Sequence, residues 1–349
     1  MSERADARQL MGHAAKLQID YQRLANIRQH PAAWWRDVLA VVHFERDALS
    51  PPLPDIPTAR VMLPVLNGGD GTVEVWRLAG PMQSGQHGRV QYRRNGRLLF
   101  ASLSVAEQEF VPQDAGHSAL WGATQTAYRE LFDALSALGF EYPLRIWNFL
   151  PEIHGQTAEG ERYWHFNSAR QEAFMGVRRA IAGTVPAASA VGSRRDSPVT
   201  IFCIASASAP IALENPRQRS AWSYPPQYGP KSPTFARACI EGGAAQTLFV
   251  SGTASIVGHE TAHPGDVQAQ TQETLRNVRA VLAAANACVG TERYTLEHLS
   301  YKVYVRRSED LEPVNAELRR AIGDAAPILY LQADICRREL LVELEAVGS

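Results

Sequence analysis

Apolar residues recur at helical spacing in two long stretches of the chain and alternate with polar residues in several short ones. From Thr124 to Leu138, the residues Ala127, Leu131, Leu135 and Leu138 share one helical face, and Gly139 follows as a C-terminal cap. A second helix is predicted from Asp266 to Ala287, with Val267, Leu275, Val278, Val281 and Leu282 on its apolar side. Thr72–Trp76 alternates as a half-buried strand does, after the tight-turn cluster Asn67-Gly68-Gly69-Asp70-Gly71. Asn95-Gly96 is a hairpin turn between short strands in Arg93–Phe100. Further strands are predicted at Pro143–Phe149, Leu248–Val250, Tyr301–Val305, Ile328–Ile335 and Leu340–Glu345.

The succession of helix and strand occurs twice, about 145 residues apart. It implies an α+β fold of two units, each with helices laid on one face of a mixed sheet. A boundary near residue 190 divides the chain into 1–190 and 191–349. The small-residue stretch Gly183–Ser193 between the units reads either as a flexible linker or as a loop closing over a site.

Composition narrows the function. With 349 residues, 45% of them hydrophobic, the chain can bury large cores. Its 35 basic and 36 acidic residues balance, so charge gives no case for nucleic acid or a membrane surface as partner. The N-terminus lacks an apolar signal-type core and no apolar run approaches the length of a membrane span, so a cytoplasmic location is expected. The four cysteines form no C-x-x-C pair, which argues against a disulfide framework or a cysteine zinc site. No phosphate-binding loop fingerprint is present.

His259-Glu260-Thr261-Ala262-His263 matches H-E-x-x-H, which in zinc peptidases sets two imidazoles one helical turn apart. Gly258 precedes it and Pro264-Gly265 follows at once, and Pro264 biases His263 away from the α region. The loop reading is therefore favoured, and no metal is expected.

Ser251-Gly252, Pro264-Gly265-Asp266, Ala269-Gln270-Thr271, Thr274-Leu275, Asn277-Val278 and Ala280-Val281-Leu282 resemble the core signature of the YjgF/RidA family. That resemblance covers about the last 150 residues and implies a fold like AroH-type chorismate mutase. Its deaminase activity transfers poorly, because the family's substrate-gripping Arg falls near Pro327-Ile328-Leu329, where no side chain can hold a carboxylate. A resemblance to the chorismatase family spans nearly the whole chain. It rests on Trp147–Ile153, Glu161-Arg162-Tyr163 with Phe166 and Ala169-Arg170, Glu214–Gln218, Tyr224–Pro230, Ser232–Arg237, and Ala333–Arg337 with Leu341-Val342-Glu343.

That second resemblance implies cofactor-free removal of pyruvate from chorismate, with 3-hydroxybenzoate, and 4-hydroxybenzoate as a further candidate, as product. A hydrolytic chorismatase giving a dihydroxycyclohexadienoate, a RidA-type imine or enamine deaminase and a non-catalytic binding protein are the alternatives. It places the paired carboxylate-holding arginines at Arg162 and Arg170 and the catalytic acid at Glu343. In Leu341–Glu345, period 2 sets Glu343 and Glu345 opposite Val342 and Leu344 in an apolar strand. A carboxyl in a desolvated site favours its neutral form, as a proton donor requires. Cys336 matches the position where 3-hydroxybenzoate-forming members carry Cys, while as a lone residue it reads as a small buried hydrophobe. Arg306 is a third candidate cation, with Arg307 the alternative at that place. Tyr224 and Tyr228, flanking Pro225-Pro226-Gln227, offer hydroxyls to a ligand or pack the loop. Trp34 and Trp35 receive no role. The chain is expected to work as a monomer or as a homo-oligomer such as a trimer.

Overall fold

The computed structural model describes residues 16–44, 51–53, 55–69, 71–110, 117–157 and 160–348. The N-terminal segment 1–15 and Asp70 of the predicted turn lie outside them. Three sheets share one core. The first has four strands, β1 (Gln18–Arg23), β2 (Val38–His43), β3 (Thr58–Arg60) and β4 (Thr72–Arg77), in the order β1-β4-β2-β3.

The second sheet takes β5 (Gln83–His87), β6 (Val90–Arg94), β7 (Leu98–Val105), β8 (Tyr142–Pro151), β9 (Ala187–Ser193) and β10 (Val199–Ser206), ordered β9-β8-β10-β7-β6-β5. A short strand, Asp334–Ile335, adds antiparallel to the outer side of β9. The Asn95-Gly96 turn joins β6 to β7 as expected. Helices α1 (Ala119–Ala137) and α2 (Arg162–Gly176) cover one face. α1 starts five residues before the apolar periodicity suggested, because Ser118 accepts a hydrogen bond from the Trp121 N–H and caps it.

The third sheet is β11 (Ile211–Leu213), β12 (Ala238–Ile240), β13 (Leu248–Ala254), β14 (Ser300–Val305), β15 (Ile328–Gln332) and β16 (Val342–Gly348), ordered β11-β12-β13-β16-β14-β15. Helices α3 (Val267–Val289) and α4 (Leu311–Ile322) pack on it. Asp266 caps α3 through the Ala269 N–H, and Gly290 ends it in the left-handed region. The expected α+β architecture is observed in the second and third sheets, each with helices on one face, and the four-stranded first sheet is an addition to the two expected units.

Alternation divides the central strands between two cores. In β10, Ile201 and Cys203 meet the helices, whereas Phe202 and Ile204 join a central layer with Trp76, Trp147, Phe249, Tyr304 and Val347. Large side chains buried there contribute about 2 kcal/mol each. In β16, Val342, Leu344 and Ala346 face α3 and α4, so Glu343 and Glu345 enter the layer between the sheets.

Two expectations change. Gly183–Ser193 is neither linker nor lid over most of its length: Ala187–Ser193 is β9, parallel to β8. Its small side chains permit close layering; a Cβ on Gly192 would meet Asp334 and Ile153 at 2.7–2.8 Å. A boundary at 190 would cut this strand, and the second sheet continues to Ser206. Among the described residues no helix is long and apolar enough to cross a membrane.

Candidate active site

β9 is the seam between the second and third sheets. Ala236 N–H donates to Pro186 O, and Ser251 Oγ accepts from Ala188 N–H, so β12 and β13 lie against β9. A cavity of ≈ 280 Å³ opens beside this seam, near the lower end of small-molecule pocket sizes. Glu343 lines it from β16, Arg170 from α2, and Arg237, Tyr224 and Tyr228 from the segment between β11 and β12. Cys336 and Arg337 come from the loop before β16.

Gly252 makes the room for Glu343. A Cβ there would sit 2.8 Å from Glu343 Cδ and 3.0 Å from Ser189 Cβ. The Glu343 carboxyl is buried and its Oε1 has no hydrogen-bond partner. Burial, reinforced by the charge on Glu345, pushes its pKa up to about 8, so it is mainly a neutral acid at pH 7. Cys336 is likewise driven up to about 12, by burial first and then by Glu343, and stays a thiol.

Behind Glu343 lies an ion cluster. Glu345 accepts from Arg145 Nη2 (2.6 Å), Trp147 Nε1 (2.6 Å) and Ser189 Oγ (3.0 Å), and pairs with Lys302 Nζ (3.1 Å). Lys302 also pairs with Glu74 of β4 at 2.7 Å. Burial opposes ionisation of Glu345, but Lys302 and Arg145 outweigh it and hold its carboxyl below the usual range. Two adjacent glutamates on one strand face therefore take opposite protonation states.

The cavity's cationic side is built from three buried arginines. Arg170 Nη2 donates to Asn167 Oδ1 (2.9 Å) and its guanidinium lies 4.9 Å from the Phe166 ring centroid. Arg237 Nη2 donates to Tyr224 Oη and to Arg219 O, both at 2.7 Å. Arg337 stacks on Tyr228 at 3.8 Å and donates to His259 O at 2.8 Å. Each keeps one guanidinium nitrogen without a partner: Nε of Arg170, Nε of Arg237 and Nη2 of Arg337. Guanidinium groups that line a cavity suit a planar carboxylate.

Of the residues singled out from sequence, Glu343, Cys336, Arg170, Tyr224 and Tyr228 meet at this cavity. Arg162 and Arg306 do not line it. Arg162 begins α2, pairs with Glu107 and donates to Pro151 O (3.0 Å). Eight helical positions after it, Arg170 points elsewhere, since eight residues exceed two turns by some 80°. Arg306 bonds Asp334 (2.5 Å), Leu340 O (2.7 Å) and Arg337 O (2.8 Å), which clamps the loop carrying Cys336. Arg307 is paired to Asp310 at 2.7 Å. Arg237, Arg337, Arg145 and Lys302 were given no role from sequence. The available signal was one charged residue within an apolar strand, as in Pro143-Leu144-Arg145-Ile146 and Tyr301-Lys302-Val303.

The H-E-x-x-H segment is a hairpin, with strands Ile256–Val257 and Glu260–Thr261, and His263 has φ 57°. Its imidazoles do not share a helix. Instead His259 Nδ1 lies 3.4 Å from Tyr228 Oη, and the hairpin supports the cavity rim.

Comparison with known proteins gives a consistent picture. A family model described as chorismatase FkbO/Hyg5-like, N-terminal, matches residues 74–205. A 3-hydroxybenzoate synthase of Streptomyces hygroscopicus is 36% identical over 285 residues, covering 78% of this chain and 80% of its own. A chorismatase of Streptomyces rapamycinicus is 37% identical over 281 residues, covering 78% and 81%. A chorismatase crystal structure superposes with a TM-score of 0.84 at 28% identity, over 96% of this chain and 99% of the other.

Proposed function

The chain belongs to the chorismatase family, and from that premise we propose that it converts chorismate to pyruvate and a hydroxybenzoate, with Glu343 as the proton donor. The observation that carries this reading is a neutral, buried carboxyl lining the same cavity as three buried arginines. Chorismate is a dicarboxylate enol ether, so its cleavage requires fixed cations and an acid aimed at a vinyl carbon. Charge-assisted bonds from Arg170, Arg237 and Arg337 to its carboxylates are worth about 1.5–3 kcal/mol each.

Glu343 protonates the enolpyruvyl methylene, and the side chain becomes an oxocarbenium ion. Attack by the ring hydroxyl on the ring carbon breaks its ether bond, and that electron pair completes the ketone of pyruvate. The hydroxyl proton returns to the Glu343 carboxylate, and the ring product rearranges to a hydroxybenzoate. No water is consumed in the sum. A Cys336 thiol against the ring favours this internal path, because it occupies space without delivering a hydroxyl to the side chain, and 3-hydroxybenzoate is the product we assign. Incubating the protein with chorismate, following pyruvate by a coupled assay and resolving aromatic products by chromatography tests the reading. Pyruvate release that Glu343→Gln lowers at least about a hundredfold is expected; a Gln variant near wild-type turnover would overturn the role.

A further inference from the structure

We propose that Glu345 is a positioning residue that adds to burial in keeping Glu343 in its acid form between turnovers, and so extends the alkaline limit of the reaction; this rests on Glu343 being the proton donor. Glu345 lies two residues along β16 on the same face, about 7 Å away by strand geometry. It does not line the cavity, so it acts through Glu343 rather than on substrate. Its charge is fixed from three elements: Lys302 directly across on β14, Arg145 and Trp147 on β8, and Ser189 on β9.

The cluster carries no net charge when Glu74 and Glu345 balance Lys302 and Arg145. Its layout is nevertheless polar, because Glu345 is the member on Glu343's own strand. The remaining groups that face Glu343 are Tyr304 across on β14, Tyr163 and Arg170 of α2, and Cys336 of the preceding loop. Burial raises Tyr304, Tyr163 and Cys336, so none of these three is an anion near neutral pH. Glu345 is thus the neighbouring anion, and Arg145 is the opposing cation. After each proton transfer Glu343 becomes a second carboxylate beside Glu345. That repulsion drives it to recover the proton from the substrate hydroxyl rather than remain charged.

Infrared pH titration of the resting enzyme tests this without relying on turnover. The protonated-carboxyl band that Glu343→Gln removes is followed in Glu345→Gln, alongside the pH profile of kcat. Both midpoints are expected to move to lower pH by about one unit. The double variant Lys302→Met/Glu345→Gln removes one charge of each sign, keeps the cluster neutral and is expected to move the midpoints in the same direction by less. Unchanged midpoints in either folded variant overturn the proposal. If Glu343→Gln itself removes no titrating band and retains turnover, the proton-donor reading fails instead.

Discussion

Gly252 of β13 leaves the space that the Glu343 carboxyl of β16 occupies: a Cβ on Gly252 would lie 2.8 Å from Glu343 Cδ. The strands pair through Ala254 and Glu343, with the register shifting between Val250 and Thr253, and this irregularity brings Gly252 under the acid. Gly252→Ala is expected to displace the carboxyl and lower kcat for pyruvate release at least about tenfold, since small misplacements of a catalytic group are costly. A coupled pyruvate assay at saturating chorismate checks this; an unchanged kcat would mean that the acid tolerates the shift.

Glu343 also links pH to stability. Between its ordinary value of 4.5 and about 8, the folded chain holds a proton that the unfolded chain has released. Its contribution to stability is therefore complete below 4.5, falls as pH rises to about 8, and is level beyond. Glu343→Gln carries no such dependence. The Tm advantage of the variant over wild type is expected to grow across that window, by about 2 °C or more at its upper end. Calorimetry over the pH series decides it, and a constant difference would show that Glu343 titrates normally.

Arg170 and Arg162 separate by their surroundings. Arg170→Lys loses the planar fork and is expected to lower kcat/KM about tenfold or more. Arg162→Ala breaks a pair with Glu107 away from the cavity, and kcat/KM is expected to stay within about threefold while Tm falls. Steady-state kinetics with chorismate would contradict this placement if Arg162→Ala were the more damaging change.

Cys336→Ala leaves the acid and the arginines in place but enlarges the cavity beside Glu343. The ratio of aromatic to hydrolytic products is expected to change more than the total pyruvate rate. Chromatography of the products against the pyruvate yield measures both, and an unaltered ratio would remove Cys336 as a product determinant.

Much of this arrangement was legible along the chain. Period 2 in Leu341–Glu345 assigned Glu343 and Glu345 to the face opposite Val342 and Leu344, because alternation in a strand is a local property. Helical spacing located α1 and α3, with α3 beginning one residue after the predicted Asp266, which caps it instead, and Pro264-Gly265 argued against a helical H-E-x-x-H for the same local reason. The order of the motif segments carried the family.

Tertiary structure alone decided the rest. Whether Arg162 or Arg170 reaches the cavity depends on helix phase and on Glu107, 55 residues earlier, capturing Arg162. That Arg306 clamps a loop while Arg237 and Arg337 line the cavity depends on which carbonyls and rings come near them. Above all, two glutamates on one strand face differ in charge because Lys302 and Arg145 pair directly with Glu345, whereas Glu343 has no such ion pair and Arg145 acts on it only at a distance. Alternation could set both carboxyls facing inward, but their protonation is fixed by partners brought from β14 and β8, which no local pattern encodes.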